Sequence, residues 1–138
     1  MKNLMPAIYN LFNTANALNT SVNGRMYFKS APAEKIFPFI VYDIITDVPQ
    51  WTFTSNYEDV TVQFDIFCIK GISDLQIETI LDNLENLYDD STLTVASNTF
   101  LYMWRQNLIT TIEDMTTTSG NKIIEHWSVD YAIKMRSN

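Results

Sequence analysis

Few side chains here could do chemistry. The chain holds one histidine, His126, and one cysteine, Cys68. A lone His with no Cys partner falls short of the usual His/Cys zinc set. His126 could serve as a general base, but no Gly-x-Ser-x-Gly or similar nucleophile frame accompanies it. The expectation is an exposed strand histidine with no catalytic role. Cys68 stands in an alternating apolar stretch, which fits a small buried hydrophobe better than a reactive thiol in need of nearby positive charge. No Gly-rich phosphate loop occurs. Strand parity places Asp43, Asp65 and Asp130 on one sheet face, with Arg105 expected beside them. Paired carboxylates can do acid/base or metal work. No short-range ligand spacing supports either, so solvated or interface-facing acids are expected, with no enzyme activity, cofactor or metal.

The element that must position most of these residues is residues 58–88. Over 59–70, Val60, Val62, Phe64, Ile66 and Cys68 alternate with Thr61, Gln63 and Asp65, the period-two pattern of a half-buried strand. Gly71 breaks it. Ser73, with Gln76 three residues on, reads as a capping box. Ile77, Ile80, Leu81, Leu84, Leu87 and Tyr88 then recur at helical spacing. A strand thus feeds an amphipathic helix that can fold back over it.

The flanking segments follow the same logic. Leu4, Ile8, Leu11 and Ala15, with Met5 and Phe12, mark a first helix of about 14 residues, with Pro6 tolerated in its first turn. Residues 19–24 form a polar exit, 25–29 a short edge strand, and 30–37, with Pro32 and the following Pro38, an extended connector. A strand at 39–48 has two fairly apolar faces. Residues 49–57 read as a turn, unusual in holding Trp51, Phe53 and Tyr57. After a turn at 89–92, Phe100, Tyr102, Trp104, Leu108 and Ile112 mark a strand to about residue 115. A polar loop at 116–121 leads into a last strand at 123–135. There Trp127, Val129, Tyr131, Ile133 and Met135 face the core and His126, Ser128, Asp130, Ala132 and Lys134 face away. The fold class this implies is α+β, a mainly antiparallel sheet of about four strands with two α-helices packed on one face. The expected core is Ile8, Leu11, Phe12, Ile40, Tyr42, Val62, Phe64, Ile66, Leu81, Leu84, Trp104, Trp127, Val129 and Tyr131.

Composition narrows the function. A chain of 138 residues, 46% hydrophobic, with 3 Gly and 4 Pro, has material for one globular domain over 1–138. A net charge of −7 and a pI near 4.4 argue against nucleic acid or an anionic membrane as binding partner. No apolar run is long enough to span a bilayer, and no signal-peptide pattern opens the chain. One cysteine allows no intrachain disulfide.

One resemblance runs through nearly the whole chain. An N-terminal helix leads through Val22, Asn23, Gly24 and Arg25 into Met26 and Tyr27. Ala31-Pro32 follows, then Pro38, Phe39, Ile40, Val41 and Tyr42, the 60–67 strand, the central helix and a closing hairpin. This order resembles the tail-completion, or tail-terminator, proteins of long-tailed bacteriophages. The resemblance implies a structural virion protein and no catalytic residues. It implies a homo-oligomer, a hexameric ring that caps the tail tube, stops its polymerisation and joins the tail to the head. Its partners would be the phage tail tube protein and a head-completion or connector protein. It would act at the head–tail junction after assembly in the host cytoplasm, with no membrane and no sequence-specific nucleic acid binding. An acidic conduit suits DNA that must slide without sticking. The aromatic turn has no counterpart in the family pattern; Trp51, Phe53 and Tyr57 are expected to contact a neighbouring subunit or the tube end, or else to fold back on the sheet edge. Two alternatives stand beside this reading: another neck component such as a head-closure protein, and a small ligand-binding or enzymatic protein using the Asp43, Asp65 and Asp130 face.

Overall fold

The computed structural model describes residues 3–70, 74–117 and 120–138. The order is α1 (Leu4–Phe12), α2 (Ala17–Ser21), β1 (Met26–Phe28), β2 (Phe39–Trp51), β3 (Asn56–Ile69), α3 (Asp74–Tyr88), β4 (Asn98–Thr117) and β5 (Gly120–Ser137). The strands form one sheet in the order β1-β2-β3-β5-β4. Every pairing is antiparallel except β1 with β2. The α+β class is therefore as expected, with a fifth strand at the β1 edge. The Gly71 break and the Ser73 cap lie outside the described residues.

The period-two pattern of β3 builds the core. Val60, Val62, Phe64, Ile66 and Cys68 are all buried on one face. Opposite them on β5 lie Ile133, Tyr131, Val129 and Trp127, and on β2 lie Ile40, Tyr42 and Ile44. The stripe Ile77, Ile80, Leu81, Leu84 and Tyr88 of α3 closes over this surface, and α1 adds Leu4, Ile8 and Phe12. Phe64 sits at the centre. Its ring lies 4.7 Å from Tyr88, 5.7 Å edge-on from Tyr131 and 6.2 Å from Tyr42. Both central phenols are satisfied, as buried polar groups must be. The Tyr88 hydroxyl donates to the Ile8 carbonyl at 2.8 Å, tying α3 to α1, and the Tyr131 hydroxyl donates to Asp89 at 2.6 Å. Burial pushes the Tyr131 phenol far above its usual range, and its bond to Asp89 adds to the shift, so it remains a neutral donor.

The structure corrects several boundaries. The single long N-terminal helix is two helices, because Asn16 ends one and starts the other. Its amide donates to the Phe12 carbonyl at 2.9 Å, and its carbonyl oxygen accepts from the Asn19 N–H at 2.9 Å. The polar exit at 19–24 therefore begins inside α2. Gly24, at φ +71°, follows Asn23 in the same left-handed region and lets the chain reverse into β1.

The 49–57 turn is much shorter than expected. β2 runs on through Trp51, paired with Asn56, so only 52–55 turn. Pro49 is tolerated there because β1 covers β2 only from Ile40 to Tyr42, which leaves Pro49 on an open edge with no ladder bond to donate. A bulge between Ile44 and Thr46 shifts the register, so Trp51 shares a face with Val60, whereas Tyr57 points to the opposite face.

Two more bulges, between Phe100 and Tyr102 and between Arg105 and Asn107, break the parity of β4. They turn Met103 into the core and leave Trp104 exposed, stacked on Tyr102 at 4.0 Å. Trp104 is thus no core residue. Leu11 and Trp127 pack against the core half-buried, and the other expected core residues are buried. The loop at 116–121 is also shortened, since pairing continues to Thr117 and Gly120; Thr118 and Ser119 lie outside the described residues.

Phe64→Ala and Leu84→Ala should each cost about 2–5 kcal/mol, by leaving a cavity at the contact between β3 and α3. Denaturant melts that match the parent would contradict this packing.

Candidate functional site

The sheet face away from the helices carries most of the polar side chains singled out in the sequence. Cross-strand pairing sets them in rungs. Phe39, Phe67 and His126 form one rung, Val41, Asp65 and Ser128 the next, and Asp43, Gln63 and Asp130 the third. Asp43, Asp65 and Asp130 thus share a face, yet each has its own partners. Asp43 accepts from the Ile44 N–H at 2.8 Å, beside the bulge. Asp130 accepts from the Gln63 amide at 3.0 Å. Asp65 accepts from His126 Nε2 at 2.9 Å and from the Ser128 hydroxyl. Among the described residues no three His, Cys, Asp or Glu side chains gather closely enough to hold a metal ion.

Arg105 is elsewhere. The bulge beside it turns it to the helix side, opposite Tyr131, where it pairs with Glu85 and with Asp89 at 3.3 Å. It anchors the C-terminal end of α3 to β4 rather than balancing the acidic face.

His126 is half-buried rather than exposed. Its ring stacks on Phe67 at 4.2 Å, with Nε2 toward Asp65 and Nδ1 3.3 Å from Glu113. Asp, His and Ser meet here, with the serine proton directed at the carboxylate rather than at the imidazole. A relay needs the serine proton directed at one imidazole nitrogen and the carboxylate on the other. Here the Ser128 hydroxyl lies 3.3 Å from His126 Nε2, but it donates to the Asp65 oxygen that the same nitrogen faces, while Glu113 lies 3.3 Å from Nδ1. The cluster locks the imidazole flat against Phe67.

Beside this cluster lies an open cavity of about 350 Å³ at the end of the sheet where β2 begins and β3 ends. Phe39, Val41, Phe67 and Ile124 supply an apolar floor, with Phe39 stacked on Phe67 at 4.8 Å. The connector before β2 forms the wall with Ala31 and Phe37 and sets Lys29 and Lys35 at the mouth. Arg25 steadies that connector by donating to the Pro38 carbonyl at 3.0 Å. No ion pair to Lys29 or Lys35 forms among the described residues. Sequence reading missed this pocket, whose only signal was a connector bounded by prolines and flanked by Tyr27, Phe28, Phe37 and Phe39.

At the far end of the same strand pair stands the β2–β3 hairpin tip. Trp51 is 72% exposed and Phe53 110%, so neither folds back onto the sheet. Val48 and Ile45 are exposed behind them. The turn between them is held locally. Thr52 Oγ1 accepts from the Ser55 N–H at 2.9 Å, and the Thr52 N–H donates to the Ser55 carbonyl at 2.9 Å. Tyr57 is half-buried on the outer face, with the Lys134 ammonium 5.5 Å from its ring.

No family model and no curated protein matches this chain. Among solved structures, a chain described as "Virion of native gene transfer agent (GTA) particle" shares its fold, with a TM-score of 0.71. The likeness covers 99% of this chain and 96% of that one, at 6% sequence identity. At that identity the likeness is one of fold. Among the described residues no helix is long and apolar enough to cross a membrane.

Two outcomes follow from this geometry. Trp51→Ser/Phe53→Ser should change the stability of the isolated chain by no more than about 0.5 kcal/mol, because both side chains are already in water. A loss above about 2 kcal/mol in a denaturant melt would place them in the core instead. Cys68, buried under α3, should be inert. Burial pushes its thiol up to about 12, so at pH 8 only about one molecule in ten thousand carries the reactive thiolate. A thiol reagent should therefore modify the native protein far more slowly than the unfolded one, and equal rates would contradict the packing of β3 against α3.

Proposed function

We propose that this chain is a structural protein of a phage-like virion, and that within it the chain acts as a tail terminator. In this reading several copies form a ring that caps the tail tube, stops its growth and joins the tail to the head. The observation that carries the reading is the fold shared over nearly the full length of a virion chain. It agrees with the resemblance of the segments from Val22 to Tyr42 to tail-completion proteins. The surface supports it too. A rigid two-stranded hairpin ending in two bare aromatics is costly to leave in water and suits an interface anchor. One buried aromatic removes about 150–250 Å² from water. The Ser128 hydroxyl donates to Asp65, and we read the outer face as structural and the chain as non-enzymatic.

In a tube-assembly assay, added protein should stop the tail tube protein from lengthening. Trp51→Ser/Phe53→Ser should stay folded by circular dichroism yet lose that effect. Tubes that grow on unchanged with the parent protein present would refute the terminator role. A block that survives the double substitution would instead remove the hairpin from it.

A further inference from the structure

We infer that the aromatic-floored pocket at one end of the sheet receives the Trp51 and Phe53 hairpin tip of a second copy of this chain, head to tail. The inference rests on the ring reading and names the contact that would build the ring. Three features carry it. The first is placement. Phe39 pairs with Phe67 at the pocket, and Trp51 pairs with Asn56 at the tip, twelve residues further along the same two strands. At about 3.3 Å per residue, donor and acceptor surfaces lie about 40 Å apart on one rigid ribbon. A single chain cannot join them to each other. Two different patches on one subunit make a heterologous contact, which repeats from copy to copy and closes into a ring when the rotation allows.

The second feature is fit. The cavity of about 350 Å³ has room for one large aromatic side chain. Its floor of Phe39, Val41, Phe67 and Ile124 offers ring faces and aliphatic edges. Trp51 and Phe53 are the two most exposed large hydrophobics of the described residues. The exposed apolar tip and an open apolar pocket are therefore on the same molecule, and mating removes one of the two aromatics and the pocket floor from water.

The third is charge. From Phe39 to Val60 the chain carries Asp43, Asp47, Glu58 and Asp59 and no Lys or Arg, and of these Asp59 pairs with Lys134 of β5 at 3.5 Å. Lys35 and Lys29, the latter with its ammonium 5.4 Å from the Phe28 ring, line the pocket. Asp65 and Glu113, the two carboxylates that also line the cavity, are both engaged by His126. The mouth thus offers positive charge to an acidic hairpin, which steers the two copies and fixes their order.

The test uses two disabled variants of the full chain, with mass measured by light scattering on a sizing column. Trp51→Ser/Phe53→Ser lacks the knob, and Ala31→Trp/Lys35→Glu fills the pocket and reverses its mouth. Each alone should run as a monomer. Mixed in equal amounts they should form pairs of twice 16.0 kDa and stop there, because the one intact knob and the one intact pocket are both used in forming the pair. If Ala31→Trp disturbs the fold, Lys29→Glu/Lys35→Glu touches only surface side chains and should still weaken self-association about tenfold or more. A pocket variant that assembles like the parent, or a mixture that fails to pair, overturns the knob-and-pocket contact while leaving the ring reading intact. A parent chain that stays monomeric both alone and with tail tubes overturns both.

Discussion

The packing of Phe64 between Tyr88 and Tyr131 is the contact on which the rest of this structure depends. It joins the middle of the central strand to the last turn of α3 and to β5 in one cluster. Each aromatic buried there contributes hydrophobic free energy of about 2–3 kcal/mol, and the paired rings add to it. The two phenols extend the cluster outward, Tyr88 to the backbone of α1 and Tyr131 to Asp89 beyond α3. With the core face fixed in this way, strand parity fixes the other face. Asp65, Gln63 and Phe67 have no choice but to face away from the helices.

Three bulges then decide what the periphery presents. The one between Ile44 and Thr46 changes the face of everything beyond it in β2, while keeping Trp51 paired to Asn56 at the end of a stiff ribbon. The bulges of β4 send Arg105 to Glu85 and Asp89, so the acidic outer face loses the cation that parity alone assigned to it. Open edges are a hazard in any sheet, and bulges together with Pro49 are common ways to blunt them. The two most exposed aromatics, Trp51 and Phe53, therefore stand together at the hairpin tip, where one partner surface can cover them.

Much of this could be read from the sequence, and the reasons differ by element. The strand 59–70 and the helix after it were plain because one hydrophobic period ran uninterrupted through each, as in the series from Val60 to Cys68. The division of β5 between Val129, Tyr131 and Ile133 on one side and Ser128 and Asp130 on the other followed for the same reason. Parity failed at Trp104 and Arg105, because a bulge inserts a residue without any marker in composition. The double role of Asn16 was hidden because a helix stripe continues across it. The hairpin was misjudged because Pro49 signals a turn unless the neighbouring strand is known to have ended. The pocket was invisible, since its floor and wall come from β2, β3, β5 and a connector that only the fold brings together. The environment of His126, stacked on Phe67 and facing Asp65 and Glu113, was announced by no spacing.

The fold shared with a virion chain and the bare aromatic hairpin tip support the proposed role at the end of the tail. That role is tested most directly by electron microscopy of particles from a producer in which this chain is missing. The account predicts tail tubes of irregular, extended length that remain unjoined to filled heads, with normal particles restored when the chain is supplied again. Tails of uniform length, joined to heads in the chain's absence, would contradict it.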